Sequence, residues 1–163
     1  MIGCFKVGLI WQGLTHDLSK YAPVEFWNGA KYYTGSSSPN NEERKDKGVS
    51  WSWLHHKGRN RHHFEYWIDY SPKTKGEIEG AKMPIKYVVE MYCDRVAACK
   101  NYQKDKYTQK SAYEYYMKGP AKKWMHPDTA ALIESLLVML AEKGEKETNR
   151  YIRTVVLKNK IDY

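Results

Sequence analysis

The sequence has few of the residues that stabilise small secreted proteins or cross a membrane. Its three cysteines, Cys4, Cys93 and Cys99, show no C-x-x-C spacing, which excludes a disulfide framework and a zinc knuckle and fits a reducing compartment. No long apolar run is present, because the most apolar segment, 130–141, is interrupted by Glu134. The first residues also lack the pattern of a signal peptide. We therefore expect a cytoplasmic protein that is neither secreted nor inserted in a membrane.

Acidic residues are few relative to basic ones. The chain of 163 residues has 19 Asp and Glu against 27 Lys and Arg, for a formal charge of +8. Such a charge attracts anions, whether nucleotides, nucleic acid or a lipid surface, and does not choose among them. The apolar share of 42% is typical of a globular protein, and the length suits one domain with its own core.

Apolar residues recur with helical spacing along most of the chain. We find no alternation typical of a β-strand and no internal repeat. The segment 84–102 is apolar nearly all round, which predicts a central helix. Two further helices, 127–143 and 145–160, are predicted to pack as an antiparallel hairpin across Gly144.

The first half of the chain gives a less regular pattern. Residues 1–15 are dense enough in apolar side chains for a buried helix, and a second helix begins at Pro23. The segment 35–47 is predicted as a surface loop that leads into a helix near 49–57. A helix at 62–70 and a loop at 71–83 complete this half. Together these elements predict an all-α fold, a single-domain bundle of roughly six to eight helices.

Five of the six histidines lie between positions 16 and 63, which is the strongest chemical signal in the sequence. One stands in the doublet His16-Asp17, and the others form two pairs that flank a tight loop. Imidazole and carboxylate are the ligands of zinc, manganese, iron, cobalt and nickel. A cluster of this kind predicts a site for one or two such ions, with no organic cofactor. The alternative is that these histidines are solvated residues of a basic loop.

Within each histidine pair, only one side chain is expected to face inward. Neighbouring residues of a helix differ in direction by about 100°. We assign His56 and His63 as metal ligands, although the choice within each pair is open. His55 and His62 are then left for contacts with the ligands or with substrate.

Two carboxylates of the predicted central helix are further candidates. Asp94 lies among apolar neighbours and needs a cation or several donors there. A metal would supply the charge, and so would an ion pair with Arg95, Arg59 or Arg61. Glu90, one turn earlier, is either a general acid or base, a group supporting the ligands, or the partner of a surface lysine.

The residues Leu14-Thr15-His16-Asp17-Leu18-Ser19-Lys20 resemble the His-Asp doublet of the HD-type metal-dependent phosphohydrolases. The order of doublet, histidine cluster and helix-borne Asp94 is similar to the order in that superfamily. The resemblance implies a helical bundle in which His16, Asp17, Asp94 and histidines of the 55–63 run bind metal. On this basis we divide the domain, 1–163, into a metal-site core, 1–102, and completing helices, 103–163.

A closer resemblance, from Trp11 to Ala98, is to an uncharacterised group of small bacterial HD-like proteins. It rests on His-Asp-Leu-Ser-Lys, Leu-His-His-Lys-Gly-Arg-Asn and His-His-Phe-Glu-Tyr-Trp. Some members carry a catalase label, which nothing in these residues supports. The superfamily's first histidine has no counterpart before His16. We therefore expect the natural start to lie upstream of Met1, and a form without that ligand to bind metal weakly or to be inactive.

The resemblance predicts hydrolysis of a nucleotide or another small phosphate ester. Lys20 and Glu90 are the predicted catalytic residues, and Lys57, Arg59 and Arg61 the predicted phosphate contacts, together with His55 and His62. One alternative keeps the fold and binds two irons as an oxygenase. Another is a nucleotide-binding or nucleic-acid-binding module, favoured by the net charge and by aromatic residues near the histidines. We expect no membrane partner, and a homodimer stays open.

Overall fold

The computed structural model describes residues 1–35 and 37–163, and helices dominate the part of the chain that it describes. Residue 36 of the predicted 35–47 loop lies outside the described residues. The α-helices are α1 (Ile2–Val7), α2 (Ile10–Thr15), α3 (Pro23–Tyr32), α4 (Pro39–Lys47), α5 (Trp51–Lys57), α6 (Ile85–Gln103), α7 (Ser111–Lys118), α8 (Ala121–Trp124) and α9 (Pro127–Thr154). Single-turn 3-10 helices cover Leu18–Tyr21, Phe64–Trp67, Lys104–Lys106 and Val156–Lys158. The predicted helical class is confirmed.

The apolar core lies between α6 and α9, with α1 and α7 packed against it. α6 contributes Val88 and Val89, both fully buried, as the periodicity of segment 84–102 predicts. α9 contributes a stripe at helical spacing whose members have no exposed surface: Ile133, Leu136, Leu137 and Leu140. Ile152, in the later part of the same helix, is also fully buried. Full burial of such a side chain stabilises the fold by about 1.5–3 kcal/mol. These two helices therefore form the frame on which the rest of the chain is held.

The predicted break at Gly144 is present, because this residue interrupts α9 with φ 78° and ψ 169°. A positive φ is readily adopted only by glycine. Gly8, at φ 89°, likewise divides the predicted helix 1–15 into α1 and α2. Only the first part of that predicted helix is buried, because Ile10, Trp11 and Leu14 are exposed on α2.

Two predictions for the first half of the chain are wrong. The segment 62–70 forms a 3-10 turn followed by strand β1 (Ile68–Tyr70), which pairs antiparallel with β2 (Ile78–Gly80) inside the predicted loop 71–83. α4 also occupies most of the segment predicted as a surface loop. α4 has hardly any apolar residues and buries only Glu43, so hydrophobic periodicity gives no signal for it.

The segment between Leu9 and Met83 is packed in an unusual way. Among its described residues no apolar side chain is buried, although nine polar or charged residues are: Asp17, Glu25, Asn28, Glu43, Ser50, Ser52, His56, Asn60 and His62. Burial of polar groups is costly unless each finds a partner. We call this segment, residues 10–82, the polar layer, and it contains most of the candidate site.

No helix among the described residues is both long enough and apolar enough to cross a bilayer.

Candidate metal centre

Asp17 lies at the middle of the site and is held there by an uncommon backbone conformation. It follows α2 with φ 58° and ψ 26°, a left-handed geometry that aspartate tolerates better than most residues, and it starts the 3-10 turn Leu18–Tyr21. Its side chain is buried. Its Oδ1 lies 3.3 Å from His56 Nε2 and 3.4 Å from His62 Nε2. Its Oδ2 lies 3.4 Å from His16 Nε2 and 2.5 Å from Lys20 Nζ.

The histidines reach Asp17 from both sides of one loop. α5 ends at Lys57 and places His56 toward Asp17, and the loop that follows returns the chain at His62 and His63. The rings of His62 and His63 are 4.2 Å apart, and Trp53 contacts the His63 ring at 4.8 Å. The tight loop therefore brings His56 of the first pair and both histidines of the second pair close together.

α6 completes the site with Asp94, whose Oδ1 is 3.4 Å from His16 Nε2. The side chain of Asp94 is 30% exposed, against 7% for Asp17 and 2% for His62. The cluster is therefore closed on the side of the polar layer and open at Asp94.

Two groups of four residues each present one potential ligand atom within 4.8 Å of all the others. They are Asp17, His56, His62 and His63, and His16, Asp17, His62 and Asp94. The measured separations of 3.3 and 3.4 Å suit a shared ion, because two ligand atoms about 2.1 Å from a tetrahedral ion lie about 3.4 Å apart. Asp17 and His62 belong to both groups, so the donor set has room for one ion or for two.

Three buried atoms of this cluster find no hydrogen-bond partner within residues 1–35 and 37–163: Asp17 Oδ1, His62 Nε2 and His63 Nε2. Leaving a buried polar atom unpaired costs about 1–3 kcal/mol. All three are atoms of residues in the first group, so one cation could satisfy them together. The residues present therefore fit a divalent transition metal, whose ligands are imidazole nitrogen and carboxylate oxygen.

The sequence profile of DUF5662, a family of unknown function, matches residues 2–139. This match covers most of the chain and every residue of the cluster. The chain belongs to the DUF5662 family. No curated protein and no solved structure matches it.

Two glutamates of this DUF5662 chain hold the histidines from behind. Glu90 Oε1 is 3.4 Å from Nδ1 of His16 and 3.2 Å from Nδ1 of His62. Glu25, on α3, contacts Nδ1 of His56 at 2.8 Å and Nδ1 of His55 at 2.6 Å. A carboxylate on one ring nitrogen fixes the orientation of the ring and leaves the other nitrogen for a metal. In this way the Nε2 atoms of His16, His56 and His62 all face Asp17.

The ionisation of the cluster follows from burial and from these contacts. Burial lowers the pKa of His63 well below its usual value, and neighbouring His62 lowers it further, so His63 is neutral as a metal ligand must be. Burial disfavours charge on His16 too, but hydrogen bonds to Asp94 and Glu90 raise its pKa to about 10. Burial would raise the pKa of Asp94, yet the bond to His16 lowers it to about 2. In the metal-free protein a proton on His16 therefore balances part of the carboxylate charge.

Most of the residues predicted from the sequence meet in this DUF5662 site. The cluster brings together the proposed ligands His16, Asp17, His56, His63 and Asp94 with Lys20 and Glu90. His62 differs from the expectation, because its Nε2 faces Asp17 among the potential ligand atoms. His55 contacts Glu25 instead.

The three cationic residues predicted to contact phosphate, Lys57, Arg59 and Arg61, lie outside the cluster. Arg59 donates to the carbonyl of His55 at 3.3 Å, and Arg61 donates to the Tyr87 hydroxyl at 3.3 Å. Burial raises the pKa of Glu65, and nearby cations, among them Lys57, offset part of this rise. None of these three cations forms an ion pair with the cluster residues in the described structure.

Sequence reasoning missed Glu25 altogether. The residue lies 30 positions before His55, on a helix that was recognised only by its apolar residues. The only sign of it in the sequence is an acidic residue at the centre of an apolar pattern, Pro-Val-Glu-Phe-Trp. This sign identifies a supporting residue only once its histidine partners are known.

Proposed function

We propose that the chain is a metal-dependent phosphohydrolase of the HD type, acting on a nucleotide or another small phosphate ester. The observation that carries the proposal is the convergence of three unpaired buried ligand atoms on one point, next to a histidine-aspartate doublet. A divalent ion held there supplies Lewis acidity toward a phosphoryl oxygen and activation of water.

The chain's own residues have separate roles in this proposal. Asp17, His56, His62 and His63 hold one ion, and His16 with Asp94 extends the site toward a second. Glu90 acts as a positioning group, because its contacts are with Nδ1 atoms on the far side of the rings. This role replaces the general acid or base expected from the sequence.

Lys20 is the residue placed to meet a phosphate. Its amine contacts Asp17 Oδ2, yet 62% of its side chain is exposed. It therefore connects the buried site to solvent on a side chain able to turn toward an anion. An ammonium group neutralises the negative charge of a phosphoryl group, and it binds a phosphate well in a site that is partly shielded from water. Lys57, Arg59 and Arg61 contribute to the positive field that attracts the substrate.

The test combines metal content with turnover. The protein is purified without chelators, its metals are measured by mass spectrometry, and hydrolysis of p-nitrophenyl phosphate and of nucleoside monophosphates is followed with zinc, manganese, iron, cobalt or nickel. Asp17→Asn removes the shared ligand charge while keeping a residue that tolerates the left-handed backbone. We expect the wild type to contain stoichiometric metal and to lose turnover when a chelator is added. Asp17→Asn should lose both the bound metal and the turnover, whereas the surface control Asp105→Asn should keep them.

Other outcomes direct the assignment elsewhere. Absence of bound metal under all five conditions contradicts the metal centre itself. Two irons per chain with oxygen consumption and no phosphate release support the oxygenase alternative. Salt-sensitive binding of nucleic acid without turnover supports the binding module.

A further inference from the structure

Helix α3 buries polar residues and exposes apolar ones, which is the reverse of an ordinary surface helix. Its buried residues are Glu25 and Asn28, which lie on one face and contact histidines and Ser52 of α5. Its bulkiest apolar residues, Phe26 and Trp27, lie on the opposite face and are exposed. A surface helix normally buries its apolar stripe. The arrangement leaves an apolar helix face without a partner in the described structure.

The exposed area around this helix is large. The 3-10 turn Leu18–Tyr21 packs against α3 and adds its own side chains, and the rings of Phe26 and Trp27 contact each other at 5.3 Å. We define the α3 apolar face by its exposed members, Leu18, Tyr21, Val24, Phe26, Trp27 and Tyr33. At their exposures, the four aromatic side chains alone present on the order of 550 Å², taking about 200 Å² for each.

That area suits a protein interface. The largest apolar patch of a typical monomer is about 300–600 Å². A stable dimer of ordinary size buries about 800 Å² on each partner. The aromatic side chains supply most of this area, and Leu18 and Val24 increase it further.

Charge favours a second copy of the chain over an anionic membrane as the partner. Residues 10–54, which contain the face, carry five basic and five acidic side chains, so the whole net charge of +8 lies in the rest of the chain. Four of these five cations have acidic partners: Lys20 with Asp17, Lys31 with Asp46, Lys45 with Glu42, and Lys47 with Glu43. The fifth, Arg44, donates to Asn41. Two neutral faces approach each other without repulsion, whereas anionic lipid is drawn to unpaired cations elsewhere.

We infer that the α3 apolar face is the interface of a homodimer in which two copies of the chain pair through the same surface. Such an isologous contact is the commonest way in which soluble proteins form dimers. The opposite side of α3 carries Glu25, which holds His56 in place. Pairing therefore also restrains the helix that supports the candidate metal centre. The inference does not depend on the reaction that the centre performs.

The test is the mass of the full chain in solution, measured by sedimentation velocity and light scattering up to tens of micromolar. We expect twice the chain mass of 19.2 kDa. The double variant Phe26→Glu with Trp27→Glu is expected to sediment as a monomer. The control Tyr115→Glu changes an exposed aromatic residue of α7 and is expected to stay dimeric.

Four sedimentation results would overturn the inference. They are a monomeric wild-type chain at every concentration, a dimer that survives the double variant, a monomer of Tyr115→Glu, and a monomer that cosediments with phosphatidylserine vesicles. Circular dichroism checks the placement of the side chains, because outward-facing residues are replaced without loss of helical signal. A double variant that loses that signal also contradicts the inference, since Phe26 and Trp27 would then belong to the core.

Discussion

Replacing Glu25 by glutamine tests how the candidate metal centre is assembled. The carboxylate accepts from Nδ1 of both His55 and His56, at 2.6 and 2.8 Å. An amide has only one oxygen, so the variant keeps at most one of these bonds and loses the negative charge. His56 is then no longer held with Nε2 toward Asp17, which it contacts at 3.3 Å.

The size of the effect follows from the role of such supporting groups. Removing a carboxylate that orients a metal-binding histidine lowers metal affinity about 10- to 100-fold. This range corresponds to about 1.4–2.7 kcal/mol of binding free energy. We expect the zinc affinity of Glu25→Gln, measured by competition with a chromogenic chelator, to fall within it.

Two comparisons separate orientation from general damage. Glu42→Gln changes a half-buried carboxylate of the neighbouring helix α4, which pairs with Lys45 and not with a histidine, and is expected to bind zinc like the wild type. His55→Gln removes the other partner of Glu25 but keeps the contact with His56, so its loss of affinity is expected to be smaller. An unchanged affinity in a folded Glu25→Gln protein would refute the supporting role of this residue.

Two further predictions concern stability. Glu43 accepts from Ser50 and Ser52, and burial, which opposes its charge, is outweighed by these bonds, so its pKa lies below the ordinary value of 4.5. Its contribution is therefore complete at neutral pH and lost as the pH falls below about 4.5; Glu43→Gln should cost about 2–3 kcal/mol at pH 7 in urea unfolding. Gly80→Ala should lower the free energy of unfolding by about 1–3 kcal/mol, because its new carbon would lie 2.4 Å from a backbone oxygen. Gly29→Ala, with open space around the helical glycine, should raise the free energy of unfolding by about 0.5–1 kcal/mol.

Controls for these predictions come from the same chain. Glu142→Gln, at an exposed position of α9, should leave the urea midpoint at pH 7 nearly unchanged. A Glu43→Gln variant whose stability still falls below pH 4.5 as steeply as that of the wild type would contradict the assignment to this carboxylate. Equal thermal midpoints for the two glycine variants would contradict the packing of β2 against the chain before α9.

The helices of the apolar core were predictable from the sequence because their burial follows hydrophobic spacing. α6 and α9 bury the residues that the pattern selects, including Val88 and Leu136. α3 was predicted as a helix from its apolar spacing, yet Phe26 and Trp27 are exposed and Glu25 is buried by its contact with two histidines. That contact joins residues far apart in sequence, which periodicity does not detect.

The site was predictable to the extent that its chemistry is local. The doublet at His16 and the histidine run are visible in the sequence because ligands of one type are close together along the chain. The choice between His62 and His63 was not accessible, since the tight loop turns both inward. The β1–β2 hairpin was not predicted because its strands have three residues each, too few for an alternating pattern.

The separation of an apolar core from a polar layer has a consequence for the order in which the protein opens. Amides of α6 and α9 are protected by buried aliphatic side chains and should exchange their hydrogens only through global unfolding. The polar layer, residues 10–82, has no such protection among its described residues and relies on charge pairs and on the ligand cluster. Binding of an ion to that cluster would slow exchange in α3 and α5 while leaving α9 unchanged. Hydrogen exchange would then detect the occupied centre across half the chain, even for an ion that gives no optical signal.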